Sequence, residues 1–145
     1  MNNITTMTTL LIPADLSVPM TACEIGYDTA SGGFNLSGEN GLYRKIGCDL
    51  VEAVACDHPQ FQDCLLWCDE EALLRSEPQP NIRASVLAGR PLFGNVVLSC
   101  YSNGRDLPWN TKNPLPFSPC NLQAMAETVW ADPRVQAQMN SEIHR

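Results

Sequence analysis

The feature that most constrains the fold is a short apolar run without a polar face. Residues 63–68 read Asp-Cys-Leu-Leu-Trp-Cys, and successive side chains on a strand point to opposite faces, so both faces are apolar. Such a strand needs cover on both sides, which is typical of a central strand. The preceding apolar run, residues 49–56, is separated from it only by the breaker stretch at 57–60. We predict that the two runs pair as antiparallel strands and that Trp67 lies in the core.

Other segments complete a small sheet with helices. Further β-prone runs lie at residues 8–12, 21–27 and 96–101. Segments with helix-start and helix-end signals lie at residues 40–46 and 81–88. Asn81 is the expected N-cap of the second helix, and Gly89 follows its last residue. The predicted fold class is α+β: a small, mainly antiparallel β-sheet of about four to five strands, two short helices in the core and a C-terminal helical extension.

The C-terminal part differs in composition. Residues 102–119 contain four prolines and no recognisable regular element, so we predict a long loop that Trp109 and Phe117 anchor as a strap. A helical stripe of apolar residues follows, at Leu122, Met125, Ala126, Val129 and Trp130. The chain of 145 residues suits one domain. We expect an α+β core domain at 1–101, a Pro-rich loop at 102–119 and C-terminal helices at 120–145 packed on the same domain.

Charge and cysteine content restrict the setting and the partners. The net charge is −7, and residues 1–40 contain no lysine or arginine. Between Lys45 and Arg75 all charged residues are acids: Asp49, Glu52, Asp57, Asp63, Asp69, Glu70 and Glu71. Because affinity for nucleic acids comes largely from basic side chains, this pattern argues against direct nucleic-acid binding. The sequence has no apolar run long enough for a membrane span and no export signal, so we expect a cytoplasmic protein whose seven cysteines are reduced and mostly buried.

One group of residues resembles a metal site. Cys64 and Cys68 lie near Cys56 and His58 in the sequence. A four-residue spacing along a strand separates two thiols by roughly 13 Å, which is too far for one zinc ion. We therefore predict structural cysteines, with no metal and no cofactor.

Catalytic groups are scarce. A thiol or hydroxyl nucleophile needs a nearby base, and the only histidines are His58, in a turn, and His144, next to the C-terminus. Asp69, Glu70 and Glu71 could form half of a divalent-metal or acid–base site, but an acidic cluster at a strand end is more often a solvated turn. We predict no catalytic residue.

The order of segments resembles a known family. The segments that carry the resemblance are residues 10–13 (Leu-Leu-Ile-Pro), 42–47 ending in glycine, 49–54, 65–71, 80–84 and 93–98. As an ordered set over residues 8–101 they resemble the family called domain of unknown function number 3846. The family consists of small proteins of bacteriophages and conjugative or integrated mobile elements. Ala72 stands where the family usually has a glycine, which argues against a tight turn there. The resemblance implies a biological setting and neither an activity nor a site.

These observations lead to an expected function with two alternatives. We expect a non-catalytic phage or mobile-element accessory protein that binds a host protein, in counter-defence or host takeover, in the cytoplasm of the host cell. The expected partner-binding residues are Asp69, Glu70, Glu71, Trp109 and Phe117. One alternative is a module that binds and sequesters a small molecule or nucleotide, for instance as a homo-oligomer. The other is a metal-dependent enzyme that uses the carboxylates of Asp69, Glu70 and Glu71.

Overall fold

The secondary structure is dominated by strands. The computed structural model describes residues 4–74, 79–110 and 114–137. The strands are β1 (Ile4–Ile12), β2 (Thr21–Asp28), β3 (Gly33–Phe34), β4 (Val51–Ala55), β5 (Cys64–Asp69), β6 (Val96–Ser102) and β7 (Arg105–Leu107). The α-helices are α1 (Leu42–Ile46), α2 (Ile82–Ala88) and α3 (Pro119–Ala131), followed by a short helix at 133–137. Two 3₁₀ turns, Pro59–Phe61 and Ala72–Leu74, flank β5.

All seven strands form one antiparallel sheet in the order β3-β2-β1-β6-β5-β4, and β7 also pairs with β6. The registers show how β6 holds three neighbours. Leu98 lies opposite both Leu10 of β1 and Leu66 of β5, whereas Cys100 lies opposite both Cys64 of β5 and Leu107 of β7. β1 and β7 therefore share one edge of β6, and β5 occupies the other edge.

The expected sheet of about four to five strands is wrong, because the described residues form a sheet of seven strands. The two additional strands are β3, with two residues, and β7, with three. Both are too short to produce a two-residue alternation of polar and apolar side chains, and both lie in turn-rich sequence. The expectation that no regular element lies within residues 102–119 is also wrong, since β7 falls there.

The predicted core elements are otherwise confirmed. β1 pairs with β2 and β4 pairs with β5, both antiparallel. Helix α2 begins after Asn81, whose side chain accepts a hydrogen bond from the Ala84 N–H (3.0 Å). It ends at Ala88 and is followed by Gly89, whose φ of 70° is a left-handed conformation that glycine adopts without a steric cost.

Strand β5 is covered on both faces, as predicted. Cys64, Leu66 and Cys68 belong to a buried cluster that includes residues of α2, whereas Trp67 packs against a second cluster on the opposite face. Trp67 is only half-buried, so it is less enclosed than the core position we predicted. β5 is also next to an edge strand, β4, and β6 is the more central strand.

The sheet curls far enough for β7 to reach the turn before β3. The Asp106 N–H donates to the Gly32 carbonyl (2.9 Å), and the Asp106 carboxylate accepts a hydrogen bond from the Phe34 N–H (3.1 Å). Asp106 is buried, and its second carboxylate oxygen has no hydrogen-bond partner among the described residues. Burial raises the pKa of this carboxyl, and the bond from Phe34 partly opposes that shift.

Helix α3 packs on α2. Val129 is fully buried in a cluster with Ile82 of α2, Phe93 and Val135. Trp130, which we predicted to belong to the apolar stripe, is 43% exposed and lies outside this cluster. The four remaining residues of the predicted stripe are packed against α2 or partly buried beside it.

Candidate functional site

Five of the seven acids between Lys45 and Arg75 meet at one end of the β4–β5 hairpin. The pairing of Val51 with Asp69, and the hydrogen bond from the Glu70 N–H to the Leu50 carbonyl (3.0 Å), join the start of β4 to the end of β5. We call this the acidic end; it comprises Asp49, Glu52, Asp69, Glu70 and Glu71. The other two acids, Asp57 and Asp63, lie at the closed end of the hairpin. At the rise per residue of an extended strand, the two ends of the hairpin are about 17 Å apart.

A small cavity opens at the acidic end. Its lining includes Glu52, Cys68, Asp69, Glu70, Arg90 and Arg134, and it encloses about 90 Å³. Pockets that bind metabolites and cofactors are larger, about 300–1,000 Å³. The cavity is therefore suited to a few water molecules or one side chain of a partner rather than to a nucleotide.

The two arginines at the cavity are not equivalent. The Arg134 guanidinium contacts the Asp132 carboxylate at 2.7 Å, and a second bond joins its Nε to the same carboxylate (3.1 Å). This pairing lowers the pKa of Asp132 and raises that of Arg134. The charge of Arg134 is thus offset by Asp132, whereas Arg90 lines the cavity together with the carboxylates.

The acids differ in their local contacts. Asp69 Oδ1 accepts a hydrogen bond from the Glu71 N–H (2.9 Å), which fixes the turn leading into the 3₁₀ turn Ala72–Leu74. Asp69 and Glu71 are half-buried, whereas Glu52 and Glu70 are exposed. Ala72, at the position where the resembled family has a glycine, is buried against α2 and α3. Asp69 therefore has a structural role in addition to its charge, and Glu52 and Glu70 present their charges to solvent.

Two buried thiols of the β4–β5 hairpin, one at each end, are poor nucleophiles. Burial, followed by the charge of Glu52, raises the pKa of Cys68 to about 12, and burial raises that of Cys56 to about 12. At neutral pH both are thiols, whereas the reactive species is the thiolate. His58 Nδ1 accepts a hydrogen bond from the Gln60 N–H (3.2 Å) as the N-cap of the Pro59–Phe61 turn.

The cysteines sit where the strand pattern places them. Cys64 and Cys68 lie on the same face of an unbroken β5. Five of the seven cysteines are buried, as predicted; Cys100 is half-buried, Cys120 is exposed, and none is in a disulfide. Within residues 4–74, 79–110 and 114–137, no three His, Cys, Asp or Glu side chains are grouped so that they could hold a metal ion.

The two aromatic residues of the predicted strap lie away from the acidic end. Trp109 is 8% exposed and stacks on Phe61, with ring centroids 6.0 Å apart. Phe61 lies in the connection between β4 and β5, at the closed end of the hairpin. Phe117 is half-buried against the same cluster. The five predicted partner-binding residues thus separate into two groups, and Trp109 is a core residue.

Sequence reasoning missed Glu52, Arg90 and Arg134 as neighbours of Asp69. Glu52 could have been found, because the predicted antiparallel pairing of β4 and β5 already places the start of one strand beside the end of the other. Arg90 and Arg134 reach the cavity through the packing of α2 and α3, for which the sequence carries no local signal. Neither residue lies in a recognisable motif.

Comparison with protein-family models, with curated proteins and with solved structures finds no match to this chain. Within its described residues, the chain has no helix whose length and apolar character would allow it to cross a membrane.

Proposed function

We propose that this protein is a non-catalytic accessory protein that binds a basic surface of a host protein through its acidic end. The observation that carries the proposal is the meeting of Asp49, Glu52, Asp69, Glu70 and Glu71 at one end of the β4–β5 hairpin. Opposite charges steer two proteins together and select among partners. The setting, a bacteriophage or mobile element acting on its host in counter-defence or host takeover in the host cytoplasm, rests on the family resemblance alone.

The exposure of the acids supports this surface over the Pro-rich strap. Glu52 and Glu70 project into solvent, and the charge of Arg134 is already engaged by Asp132. Trp109, in contrast, is buried against Phe61 and has little area left for a partner. We therefore place the partner contact at the acidic end and assign Trp109 to the stability of the domain, with Phe117 as a half-buried neighbour.

The two alternative functions receive less support at this position. A nucleotide carries phosphates that the carboxylates around the 90 Å³ cavity would repel, and the cavity is small for such a ligand. A metal-dependent enzyme would need converging ligands, and Asp69 already accepts the Glu71 N–H while the nearest thiol, Cys68, is protonated. Both alternatives remain outcomes that the following experiment can reveal.

The test compares two variants with the same change in charge. Glu52→Lys with Glu70→Lys reverses two exposed charges at the acidic end, and Glu39→Lys with Asp63→Lys reverses two exposed charges elsewhere on the molecule. The wild type is used to capture its partner from a bacterial host lysate. Association rates of the captured partner are then measured with the wild type and both variants at low and high salt.

We expect the acidic-end variant to associate about tenfold more slowly at low salt, because steering by charge acts mainly on the association rate. The control variant should keep the wild-type rate within about twofold. At 1 M salt, where the Debye length is only about 3 Å, the three proteins should converge. Equal rates for both variants at low salt would show that the acidic end is not the contact surface. Capture of a nucleotide or a divalent cation would instead support an alternative function.

A further inference from the structure

Three cysteines form a row across three neighbouring strands. The registers place Cys64 opposite Cys100 on β6. The last pair of β4 with β5 is Ala55 with Leu65, so the next position along the hairpin places Cys56 opposite Cys64. The Cys56 N–H donates to the Cys64 carbonyl (3.5 Å), in agreement with that register. All three side chains contribute to the same cluster on one face of the sheet. The row is thus Cys56, Cys64 and Cys100, with Cys64 in the middle.

The two neighbouring pairs in this row have different geometry. The Tyr101 N–H donates to the Asp63 carbonyl (2.7 Å), so residues 63 and 101 form a hydrogen-bonded pair. Since hydrogen-bonded and non-hydrogen-bonded pairs alternate in antiparallel sheets, Cys64 and Cys100 form a non-hydrogen-bonded pair, with Cα atoms about 4.5 Å apart. Cys56 and Cys64 form a hydrogen-bonded pair, whose Cα atoms are about 5.5 Å apart and whose side chains are farther from each other.

The Cys64–Cys100 pair meets the requirements for a disulfide. Their Sγ atoms are 3.9 Å apart. A disulfide accepts Cα separations of about 4.4–6.8 Å, so rotation of the side chains can close the sulfur–sulfur gap without moving the strands apart. Cys100 is half-buried, whereas Cys56 and Cys64 are buried, so a reagent from solution reaches the pair through Cys100.

We propose that Cys64 and Cys100 are a redox-active pair that forms a cross-strand disulfide between β5 and β6 when the protein meets a low-molecular-weight disulfide such as oxidised glutathione. The Cys100 thiolate attacks one sulfur of the reagent, a mixed disulfide forms, and one glutathione leaves as a thiolate that takes up a proton. The Cys64 thiolate then attacks Cys100 Sγ and displaces the second glutathione. Two protein thiols are oxidised by two electrons, and the reagent is reduced to two molecules of glutathione.

The surroundings make the second step the slower one. Burial, followed by the proximity of Cys100, raises the pKa of Cys64, so little thiolate is present to attack the mixed disulfide. The same burial shields the closed bond, once formed, from reductants in solution. The closed pair would fix β5 to β6 at the end of the hairpin where Trp109 stacks on Phe61. This inference is independent of the proposed binding function.

The experiment treats the folded protein with oxidised glutathione, blocks the remaining thiols in denaturant and identifies cross-linked peptides by mass spectrometry. The wild type has seven thiols, and exposed Cys120 can take up one glutathione, so we expect two or three fewer thiols after oxidation, with one peptide cross-link between Cys64 and Cys100. Cys56→Ser is the matched control, because it changes the same row and leaves the pair intact; it should give the same cross-link. Dithiothreitol should restore all seven thiols of the wild type.

Two variants distinguish a Cys64–Cys100 disulfide from simple modification of one accessible cysteine. Cys64→Ser should stop at the mixed disulfide, with one glutathione on Cys100, and Cys100→Ser should stay unmodified at Cys64. Cys64→Ala repeats the first measurement in case the serine is not tolerated in the core, and circular dichroism verifies that each variant is folded. Wild-type protein that keeps a glutathione on Cys100 without a cross-link would overturn the proposal. A dominant cross-link between Cys56 and Cys64 would also overturn it.

Discussion

The start of helix α2 and the acidic end of the β4–β5 hairpin are both rich in polar groups but place them in opposite environments. Asn81, Arg83 and Ser85 of the α2 region are buried, and hydrogen bonds to the backbone engage each of them. At the acidic end, Glu52 and Glu70 are exposed. The comparison indicates that a buried polar residue hydrogen-bonded to the backbone has a structural role in this fold. An exposed polar residue remains available to a partner.

Among the buried polar residues, Asn81 is expected to contribute most to stability, because its one side chain joins three parts of the chain. Its Nδ2 donates to the carbonyls of Ile12 and Gly94, both at 2.8 Å, while its Oδ1 caps α2. Asn81→Ala removes the cap and leaves two carbonyls without this donor, so we expect a loss of about 3–5 kcal/mol in the free energy of unfolding. Urea denaturation measures the loss.

The control for this change is the exposed N-cap of α3. Ser118→Ala removes a capping oxygen that solvent can replace, and we expect a loss of about 1 kcal/mol or less. Equal losses for Asn81→Ala and Ser118→Ala would contradict the distinction between the buried and the exposed region.

Arg83 is expected to have the next largest effect. Its Nη2 lies 3.0 Å from the carbonyl of Pro13, 3.1 Å from that of Asp15 and 2.8 Å from that of Val18, so it holds the connection between β1 and β2. Burial lowers its pKa, and this cost of desolvation offsets part of the gain. We expect Arg83→Met to lose about 2 kcal/mol and to speed up amide hydrogen exchange in residues 14–20. Exchange unchanged in that connection would show that Arg83 does not hold it.

Asp106 tests a buried acid that lacks a full set of partners. Because its folded pKa is raised above the ordinary value of 3.8, its contribution to stability is fully present below that value and is lost as the pH rises through the raised pKa. Asp106→Asn cannot titrate there and retains an acceptor for the Phe34 N–H. Relative to the wild type, the variant should therefore become more stable between pH 3 and pH 7 in urea titrations. A constant difference across this range would mean that Asp106 titrates normally.

The smallest effect belongs to the exposed acids. Glu52→Lys with Glu70→Lys should change the free energy of unfolding by less than about 0.5 kcal/mol, as for other exposed charges. Asp69→Ala should cost more, about 1 kcal/mol, because Asp69 Oδ1 accepts the Glu71 N–H. A large loss for the double variant and none for Asp69→Ala would reverse our division between structural and available acids at the acidic end.

The elements that could be predicted from the sequence are those with local signals. Asn81 and Gly89 mark both ends of α2, and the apolar faces of residues 64–68 mark β5 as a strand covered on both sides. The acidic cluster at the end of β5 was also evident. The short connection between β4 and β5 made their antiparallel pairing predictable, and this pairing places the cluster beside Glu52.

The features that escaped prediction are two very short strands and two side chains whose burial depends on contacts between distant residues. β3 and β7 are too short for an alternating pattern and pair with the preceding strands, β2 and β6, across short turns. The Asn103-Gly104 turn, with φ angles of 53° and 74°, is the local signal that could have revealed β7. Trp109 packs down, as expected of an anchor of the loop, but Phe61 could not be identified from the sequence as the ring on which it stacks. Trp130 continues an apolar stripe in the sequence and is nevertheless exposed, because Val129 takes the position that faces α2. The environments of Trp109 and Trp130 have no signature within a local window of residues.

The position of β6 also determines the order in which the protein can assemble during synthesis. The β1–β2 hairpin leaves the ribosome early, but the partner of Leu10, Leu11 and Ile12 is β6, which is translated much later. Until β6 appears, that edge of β1 exposes unpaired backbone next to apolar side chains, a condition that favours aggregation. A released fragment that ends before Gly94 should accordingly depend on chaperones, whereas a released fragment that extends through Leu107 contains all seven strands of the described sheet.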